Sequence, residues 1–281
     1  MEAPRLGVDI GGTKVLFAAV WRERTELYRA PTGIAAGPED IERELQTFLE
    51  RIGARPSLVG VSVPGLVGEN GRVVACDELP RLAGWQATAL GGGAPAWALN
   101  DAEAGLLEET WDLPGATVAL VLSGTGIGAA LALDGVPFRG ADGWAGELGS
   151  IPVLVGERST TLDAVASGAS LTARLGLDGE TLARRAAAGD AEVLSAIREA
   201  GAALGLGLAT LINLLNPRLV VVEGGTLALP GYFDAALDGA ARSTLPELWR
   251  ACTIRRSRCG ETLAARGALR AAVLHQGEEP W

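Results

Sequence analysis

Two short glycine-threonine segments, far apart in the chain, have nearly the same composition. The first is DIGGTK at residues 9–14, and the second is SGTGIG at residues 123–128. Each follows an apolar, β-branched run and leads into another apolar run, so each predicts a turn between two strands. Glycine lets the backbone approach a ligand closely, and successive amides in such a turn form a concave anion site. The two turns together predict that a polyphosphate is held from two sides.

The pattern around these turns occurs twice. Apolar runs at 6–10 and 15–21 flank the first turn, and runs at 118–122 and 129–133 flank the second. A short third strand is predicted after each pair. Helical spacing of apolar residues then follows at 38–51. Strands combined with helices predict an α/β fold, and the repeated pattern predicts two similarly built α/β lobes.

The predicted lobes divide the chain near its middle. Residues 1–115 form an N-terminal α/β lobe that is joined by a C-terminal helix at about 262–281. Residues 116–261 form a C-terminal α/β lobe with helical insertions. The most apolar stretch lies at 200–215 and includes Asn213. A membrane-spanning helix needs about 20 apolar residues, so we predict a buried Gly/Ala-rich helix there and no membrane partner.

Charge and histidine content disfavour several classes of protein. The net charge of −10 and the pI of about 4.8 do not suit a nucleic-acid partner, which requires clustered Lys and Arg. His275 is the only histidine, so a Ser-His-Asp triad, a His-ligated zinc and a His base are not expected. A carboxylate is therefore the expected group for proton transfer in the site. The three cysteines have no metal-binding spacing and no secretory leader is recognisable, which predicts a cytoplasmic protein.

Asn100 and Asp101 follow a third apolar run at 96–99. One interpretation is structural, because Asn and Asp are favoured at helix N-caps. The other is catalytic, because a carboxylate at the carboxyl end of a strand faces the place where α/β proteins bind ligands. Such a carboxylate accepts the proton of a substrate hydroxyl during phosphoryl transfer. Both interpretations predict that a helix begins at Asp101.

Neither glycine turn fits the common nucleotide motifs. In the first turn Thr13 precedes Lys14, which is the reverse of the order in a Walker A loop. The second turn matches a loose dinucleotide fingerprint at 124–129, but that fingerprint requires a helix directly after the turn. The residues that follow, AALALDGVPFRG, predict strand and turn instead.

Several longer segments resemble the ROK sugar kinases (repressors, open reading frames and kinases), and the resemblance extends from about Leu6 to Leu274. The segments are LGVDIGGTK (6–14), VSVPGLV (61–67), LNDAEA (99–104), GTGIGAALALDGVPFRGADGWAGELGSIPV (124–153) and LINLLNPRLVVVEGGT (211–226). The fourth of these segments is the most specific. Within that family, the second segment resembles the sugar-side Pro-Gly turn and the last resembles the adenine-side strand and glycine loop.

The resemblance implies an actin-like (ribonuclease-H-like) ATPase fold, with two α/β lobes around a central cleft. It further implies an ATP-dependent kinase that phosphorylates a hexose hydroxyl, usually the 6-OH, with glucose as the default substrate. Asp101 would be the base, and Asp9 would hold Mg²⁺ through water. The implied sugar-binding residues are Gly65, Asn100, Asp101, Glu147 and Asp163. The implied nucleotide-binding residues are Gly11, Gly12, Thr13, Gly124, Thr125, Gly126 and Gly225, together with Lys14, which would either contact phosphate or remain solvated.

The chain departs from the family pattern on the sugar side. Ser150 occupies the position of the histidine in the family's G-E-x-G-H segment, and residues 153–168 contain no cysteine. A structural zinc site needs four N or S ligands, so no zinc is expected. Asp163 occupies the position of a sugar-binding Glu, and Glu78 occupies that of an Asn. For Glu147 and Asp163 the alternatives are a surface charge and an N-terminal helix charge.

These departures leave three hypotheses. The leading one is the hexose kinase, with an N-acetylmannosamine or N-acetylglucosamine kinase as a variant of it. The second is a non-catalytic sugar or nucleotide sensor on the same fold. The third, an actin-like ATPase acting on a protein partner, is disfavoured by the sugar-kinase segment at 124–153. Because the chain starts at the first strand, a DNA-binding regulator is also disfavoured, and a homodimer is expected from the family.

Overall fold

The structure, a computed structural model, describes residues 3–22, 24–68 and 70–277. The chain forms two compact units. Unit 1 extends to Trp111 and resumes at Glu261, whereas unit 2 takes in the residues from Asp112 to Gly260. Each unit contains a five-stranded sheet and several helices, so the mixed α/β class predicted from the sequence is confirmed.

The sheet of unit 1 combines antiparallel and parallel strands. The strands of the unit are β1 (Arg5–Ile10), β2 (Lys14–Val20), β3 (Thr25–Pro31), β4 (Leu58–Val63), β5 (Leu66–Val67), β6 (Val73–Ala75) and β7 (Ala96–Asn100). The sheet order is β3-β2-β1-β4-β7, and β5 pairs with β6 in a separate ribbon. The first three strands are antiparallel, whereas β4 and β7 run parallel to β1. The carboxyl ends of β1, β4 and β7 therefore lie at one edge of the sheet.

Helix α1 (Pro38–Ile52) shows how the apolar spacing determines the packing of unit 1. Ile41, Leu45 and Phe48 fall on one helical face, and all three are buried in the core cluster formed with the sheet. The helix ends at Gly53, which adopts the left-handed conformation common at this position. Helix α2 (Asp101–Thr110) follows β7 directly, and 3₁₀ turns lie at Pro80–Leu82 and Ala87–Gly91.

The sheet of unit 2 repeats this arrangement. The strands of the unit are β8 (Val118–Ser123), β9 (Ile127–Leu133), β10 (Val136–Phe138), β11 (Pro152–Val155), β12 (Arg158–Thr161), β13 (Leu219–Glu223) and β14 (Thr253–Arg256). The sheet order is β10-β9-β8-β13-β14, and β11 and β12 form a separate hairpin. The first three strands are again antiparallel, and β13 and β14 run parallel to β8. The duplicated strand pattern predicted from the sequence is thus confirmed.

The helices of unit 2 surround one long central helix. They are α3 (Asp163–Ala166), α4 (Gly168–Leu175), α5 (Gly179–Ala187), α6 (Ala191–Leu215), α7 (Tyr232–Ser243) and α8 (Pro246–Ala251). Among the described residues, α6 alone is long and apolar enough to cross a membrane by length and composition. Many of its residues, including Ile197, Leu204 and Leu208, are buried in the core of unit 2. This agrees with the buried helix predicted at 200–215.

The last helix, α9 (Leu263–His275), returns the chain to unit 1 and packs closely on its sheet. A Cβ on Gly7 in β1 would overlap the carbonyl of Ala265, and a Cβ on Gly60 in β4 would overlap that of Ala268. Glycine at these two strand positions therefore lets the helix approach the sheet backbone. On its opposite side, α9 reaches α2, where Arg266 and Arg270 bond to Glu108.

We expect the Gly60→Ala substitution to lower the free energy of unfolding by about 1–3 kcal/mol, the usual range for overpacking. The added methyl group would meet helix backbone, which does not move aside as a flexible side chain does. Gly179→Ala is the matched control, because a Cβ on Gly179 at the start of α5 meets no atom within 4 Å. Urea unfolding followed by circular dichroism measures both. Equal stability of the two variants would contradict the close packing of α9.

Two element boundaries differ from the sequence prediction. The second glycine turn was expected to reach Gly128, but β9 already begins at Ile127, because Ile127 pairs with Ser123 in the hairpin. The C-terminal helix was expected near 262–274, within the segment 262–281 that joins the first lobe, and it forms one residue later, at Leu263–His275. Residues 278–281 of that prediction lie outside the described residues. The ring of His275 is exposed at the helix end and stacks on Trp97, 3.7 Å between ring centroids.

Candidate active site

Three neighbouring strands of unit 1 carry a polar residue at or next to their carboxyl ends, along the same edge of the sheet. Asp9 in β1 is in register with Ser62 in β4, and the Ser62 hydroxyl donates a 2.8 Å hydrogen bond to Asp9 Oδ1. β7 ends with Asn100, and Asp101 is the first residue of α2. In α/β proteins, ligands bind beyond the carboxyl ends of the parallel strands. The structure therefore brings the two predicted carboxylates, Asp9 and Asp101, to the edge where a ligand is expected.

Asn100 is the N-cap of α2, as one of the two interpretations of the sequence predicted. Its Oδ1 accepts hydrogen bonds from the amides of Ala102 at 2.9 Å and Glu103 at 3.1 Å. Its Nδ2 donates to the carbonyl of Gly65 at 2.8 Å. Asn100 thus fixes the start of α2, and with it Asp101, relative to the turn that contains Gly65.

The turn at Gly65 requires glycine. Its φ of 97° lies in the region that other residues rarely adopt, and a Cβ would overlap the carbonyl of Ala75. The same hypothetical Cβ would lie 2.9 Å from Cα of Cys76. Gly65 and Asn100, both predicted to bind sugar, are neighbours through the hydrogen bond between them, and the chain at Ala75 and Cys76 packs against Gly65.

Asp101 has the electrostatic properties of a base that works near neutral pH. Burial raises its pKa to about 7, and the negative charges of Asp9 and Glu78 add to this rise. The amide of Ala102 donates a 2.8 Å hydrogen bond to Oδ1 of Asp101, and this bond lowers the pKa of Asp101. Glu78 itself lies against the first glycine turn, because a Cβ on Gly12 would be 3.3 Å from its Cβ.

Asp9 fits the role of an Mg²⁺ ligand by its chemistry. Burial raises its pKa, whereas the hydrogen bond from Ser62 and the charge of Lys14 lower it. Within the described part of the chain, Oδ2 of Asp9 accepts no hydrogen bond, so one carboxylate oxygen remains for a cation or its water. Mg²⁺ prefers oxygen ligands and retains several waters, which a single carboxylate suits.

The first glycine turn is held by a residue that the sequence patterns did not identify. The amide of Gly11 donates to the carbonyl of Lys14 at 2.9 Å, and the Thr32 hydroxyl donates to the carbonyl of Gly11 at 2.6 Å. The amides of Gly12 and Thr13 donate to none of the described residues. Two adjacent amides therefore remain for a ligand.

Lys14, the first residue of β2 directly after the first glycine turn, is exposed and forms an ion pair. Its Nζ lies 3.3 Å from Oε2 of Glu261, which also pairs with Arg29. Both partners of this pair are nearly half exposed. The structure therefore directs Lys14 toward Glu261, and its contact with phosphate stays a prediction.

The second glycine turn, in unit 2, is fixed through its carbonyl groups. The carbonyls of Gly124 and Thr125 accept hydrogen bonds of 2.8 and 3.1 Å from the amides of Gly168 and Ala169, at the start of α4. In a trans peptide the N–H points opposite to the C=O. The amides of Thr125 and Gly126 consequently point away from α4, and neither donates to a described residue. The turn thus presents two adjacent amides, as expected of an anion site.

The third glycine turn follows β13, next to the second. β13 pairs in parallel with β8, with Glu223 opposite Leu122, so both turns leave the sheet at the same edge. Gly225 begins a 3₁₀ turn, Gly225–Ala228. The Thr226 hydroxyl in this turn donates to the carbonyl of Ser123 at 2.7 Å. The structure therefore brings the predicted nucleotide-binding residues of unit 2 together.

Asp163 and Glu147, the predicted sugar ligands of unit 2, have different surroundings. Oδ1 of Asp163 accepts a 2.7 Å hydrogen bond from the amide of Ile127, directly after the second turn. Burial raises the pKa of Asp163, whereas this hydrogen bond lowers it. Glu147 is exposed at the start of the 3₁₀ turn Leu148–Ser150. Asp163 therefore supports the second turn, a role that the sequence did not predict for it.

The residues that the structure describes contain no metal-binding cluster. No group of three or more His, Cys, Asp or Glu side chains there is arranged to hold a metal ion. Cys76, Cys252 and Cys259 form no disulfide, and burial raises the pKa of Cys76 to about 11. The expected absence of zinc stays a prediction.

Comparison with known proteins gives a consistent result. The chain is 31% identical over 245 residues to a kanosamine kinase of Amycolatopsis mediterranei. The matched region covers 79% of this chain and 80% of that relative. It superimposes on a ROK hexokinase of Thermus thermophilus with a TM-score of 0.75, at 27% identity over 98% of this chain and 99% of that one.

A glucokinase of Streptomyces griseus, solved with glucose and AMPPNP, has a TM-score of 0.80 at 23% identity, over 97% of this chain and 100% of that one. This likeness shows the fold, which is the actin-like ATPase fold expected from the sequence. The family described as ROK matches residues 5–276, which is nearly the whole chain. The chain therefore belongs to the ROK family.

Proposed function

We propose that the protein is a sugar kinase that transfers the γ-phosphoryl group of ATP to a hydroxyl of a hexose, the 6-OH by preference. One observation carries the proposal more than any other: Asp101 combines a pKa of about 7 with a fixed position at the end of β7. A base is most effective when its pKa lies near the working pH. The kinases among its relatives support the same reaction class.

Each side chain has a defined task in this proposal. Asp101 takes the proton of the attacking hydroxyl, and Asn100 holds Asp101 in place through the N-cap and binds the sugar. Gly65, Glu147 and Asp163 complete the sugar contacts. The amides of Gly12, Thr13, Thr125 and Gly126 stabilise the phosphate oxygens as charge develops on them. Bound Mg²⁺ neutralises part of the phosphate charge, and Asp9 is the residue that would hold it.

The substrate class is tested by measuring ADP release over a panel of sugars. The panel contains glucose, mannose, glucosamine, N-acetylglucosamine and N-acetylmannosamine, with ATP, ADP and polyphosphate compared as donors. Glucose is the default substrate of the proposal. Turnover of at least one of these sugars with ATP is the expected outcome. Tight sugar binding without any turnover would favour the alternative, a sugar or nucleotide sensor on the kinase fold.

An amino-hexose is the second candidate substrate, and Glu78 is the observation that favours it. Its side chain lies against the first glycine turn, and its negative charge acts electrostatically on Asp101. The ammonium group of an amino sugar would complement this negative charge, which a neutral sugar does not. The name of one relative, a kanosamine kinase, points to the same class.

Glu78→Gln tests this second candidate. We expect kcat/KM for glucosamine to fall by about fivefold, since exposed charge pairs contribute up to about 1 kcal/mol. The kcat/KM for glucose should change by less than twofold, because glucose carries no charge for Glu78 to attract. Steady-state kinetics with both sugars measures the difference. Equal losses for the two sugars would remove the argument for an amino-hexose.

The proposal also includes the cellular compartment, the kind of ligand and the oligomeric state. The acidic chain is expected to act in the cytoplasm on small molecules, as a homodimer. Sedimentation velocity at micromolar concentration distinguishes a dimer from a monomer.

A further inference from the structure

Three hydroxyl side chains meet in the interior of unit 2. Ser123 Oγ lies 2.7 Å from Thr226 Oγ1 and 2.9 Å from the Tyr232 hydroxyl. The Tyr232 hydroxyl donates to the carbonyl of Ala166 at 2.6 Å. All three side chains are buried, so water does not replace a partner that is lost.

The cluster joins three separate segments. Ser123 directly precedes the second glycine turn, and Thr226 lies in the third glycine turn. Ala166 ends α3, which begins at Asp163, the residue that bonds to the amide of Ile127. Of the three hydroxyls, only that of Tyr232 reaches both Ser123 and α3.

The count of protons shows why the Tyr232 hydroxyl matters. Each hydroxyl has one proton to donate. Thr226 donates to the carbonyl of Ser123, and Tyr232 donates to the carbonyl of Ala166. The single proton of Ser123 is then donated to either the Thr226 or the Tyr232 hydroxyl. Removing the Tyr232 hydroxyl deprives Ser123 of one of these neighbours and the carbonyl of Ala166 of its donor.

We propose that Tyr232 is a positioning residue for nucleotide binding, which it supports by fixing Ser123, directly before the second glycine turn, to α3, while Thr226 joins the third glycine turn to the same serine. The inference rests on the proposed kinase function, because that function assigns the nucleotide to these turns. The inference adds a residue, Tyr232, that is proposed to contact neither the sugar nor the nucleotide. Its effect is expected on the nucleotide rather than on the sugar.

Tyr232→Phe tests the inference, with Tyr28→Phe as the matched control. These are the two tyrosines of the chain, and the Tyr28 hydroxyl donates to Glu44 in unit 1, whereas the second and third glycine turns belong to unit 2. We expect Tyr232→Phe to raise the KM for ATP and the Kd for ADP by about tenfold, equivalent to about 1.4 kcal/mol. The KM for the sugar should rise less than the KM for ATP, because Asp163 keeps its hydrogen bond from the amide of Ile127. Tyr28→Phe should leave all three constants within twofold of the wild type.

Thr226 supplies a second test that does not depend on the stability of the Tyr232 variant. Thr226→Val keeps the shape and removes the hydroxyl, whereas Thr226→Ser keeps the hydroxyl. We expect Thr226→Val to weaken ADP binding in calorimetry and Thr226→Ser to retain it. The inference is overturned if folded Tyr232→Phe binds ADP as the wild type does, if it raises the KM of ATP and sugar equally, or if both Thr226 variants behave alike.

The same calorimetry separates this inference from the proposed function. If no sugar is phosphorylated by the wild type, the proposed kinase function fails. ADP binding by the wild type and by the Tyr232 and Thr226 variants then still decides whether the hydroxyl cluster positions the turns.

Discussion

Replacing Asp101 with asparagine is expected to lower kcat by about 10²- to 10⁴-fold, the usual contribution of a general base. Asparagine retains the size of the side chain and its place at the start of α2, but it does not accept the substrate proton. The Kd for ADP should stay within about twofold, because the proposed nucleotide contacts come from glycine-turn amides. Asp238→Asn, on an exposed part of α7, is the matched control and should retain full activity. Activity of Asp101→Asn near the wild-type level would refute the assignment of the base.

The pH dependence provides an independent check on Asp101. Because its pKa is about 7, kcat/KM should rise about tenfold per pH unit below pH 7 and become level above it.

The free energy of unfolding should change with pH in the direction opposite to kcat/KM. The folded pKa lies above the unfolded value of 3.8, so the folded state binds more protons, and stability is lost as pH rises from about 4 to about 7. Thermal unfolding should therefore show Asp101→Asn gaining stability relative to the wild type over that interval.

The Glu108→Ala substitution is expected to destabilise unit 1 by about 3–5 kcal/mol, the typical effect of removing one partner from a buried ion pair. Glu108 bonds to Nε of Arg266 at 2.8 Å and to Nε of Arg270 at 2.7 Å. Arg270 is 2% exposed, and its Nη1 has no hydrogen-bond partner. Without Glu108, the buried guanidinium would lose its anion while it remains out of water.

Glu247→Ala is the control for this effect. Glu247 pairs with Arg250 at 3.2 Å, but both side chains are largely exposed, so the expected loss is below about 1 kcal/mol. Urea unfolding at constant pH compares the two variants with the wild type. A loss below 1 kcal/mol for Glu108→Ala would mean that the Glu108 pairs add little to the stability of unit 1.

Local patterns predicted much of the site. The glycine turns, the strands before them and the helix that begins at Asp101 all follow from apolar runs and from residues with special turn or cap properties. Family resemblance added the sugar-side candidates. The N-cap role of Asn100 was one of two interpretations, and the structure shows that its carbonyl and amide groups each take part.

Long-range contacts could not be predicted in the same way. Thr32 supports the first turn from 21 positions away, and Tyr232 reaches Ser123 across 109 positions. Neither residue belongs to a local motif, and their roles arise only from the packing of distant segments. Short elements were also missed, including the β11–β12 hairpin, because a few residues carry too little periodicity to identify a strand.

The return of α9 to unit 1 has a consequence for synthesis on the ribosome. The segments of unit 1 up to Trp111 emerge first, and all of unit 2 follows before α9 does. Until then, the sheet face at Gly7 and Gly60 and the carboxylate of Glu108 have no covering helix. Unit 2 can complete its core during translation, whereas unit 1 must wait for nearly the whole chain. A nonsense codon before residue 263 would therefore yield a product in which the sheet of unit 1, with Asp9 and Asp101 at its edge, lacks its covering helix.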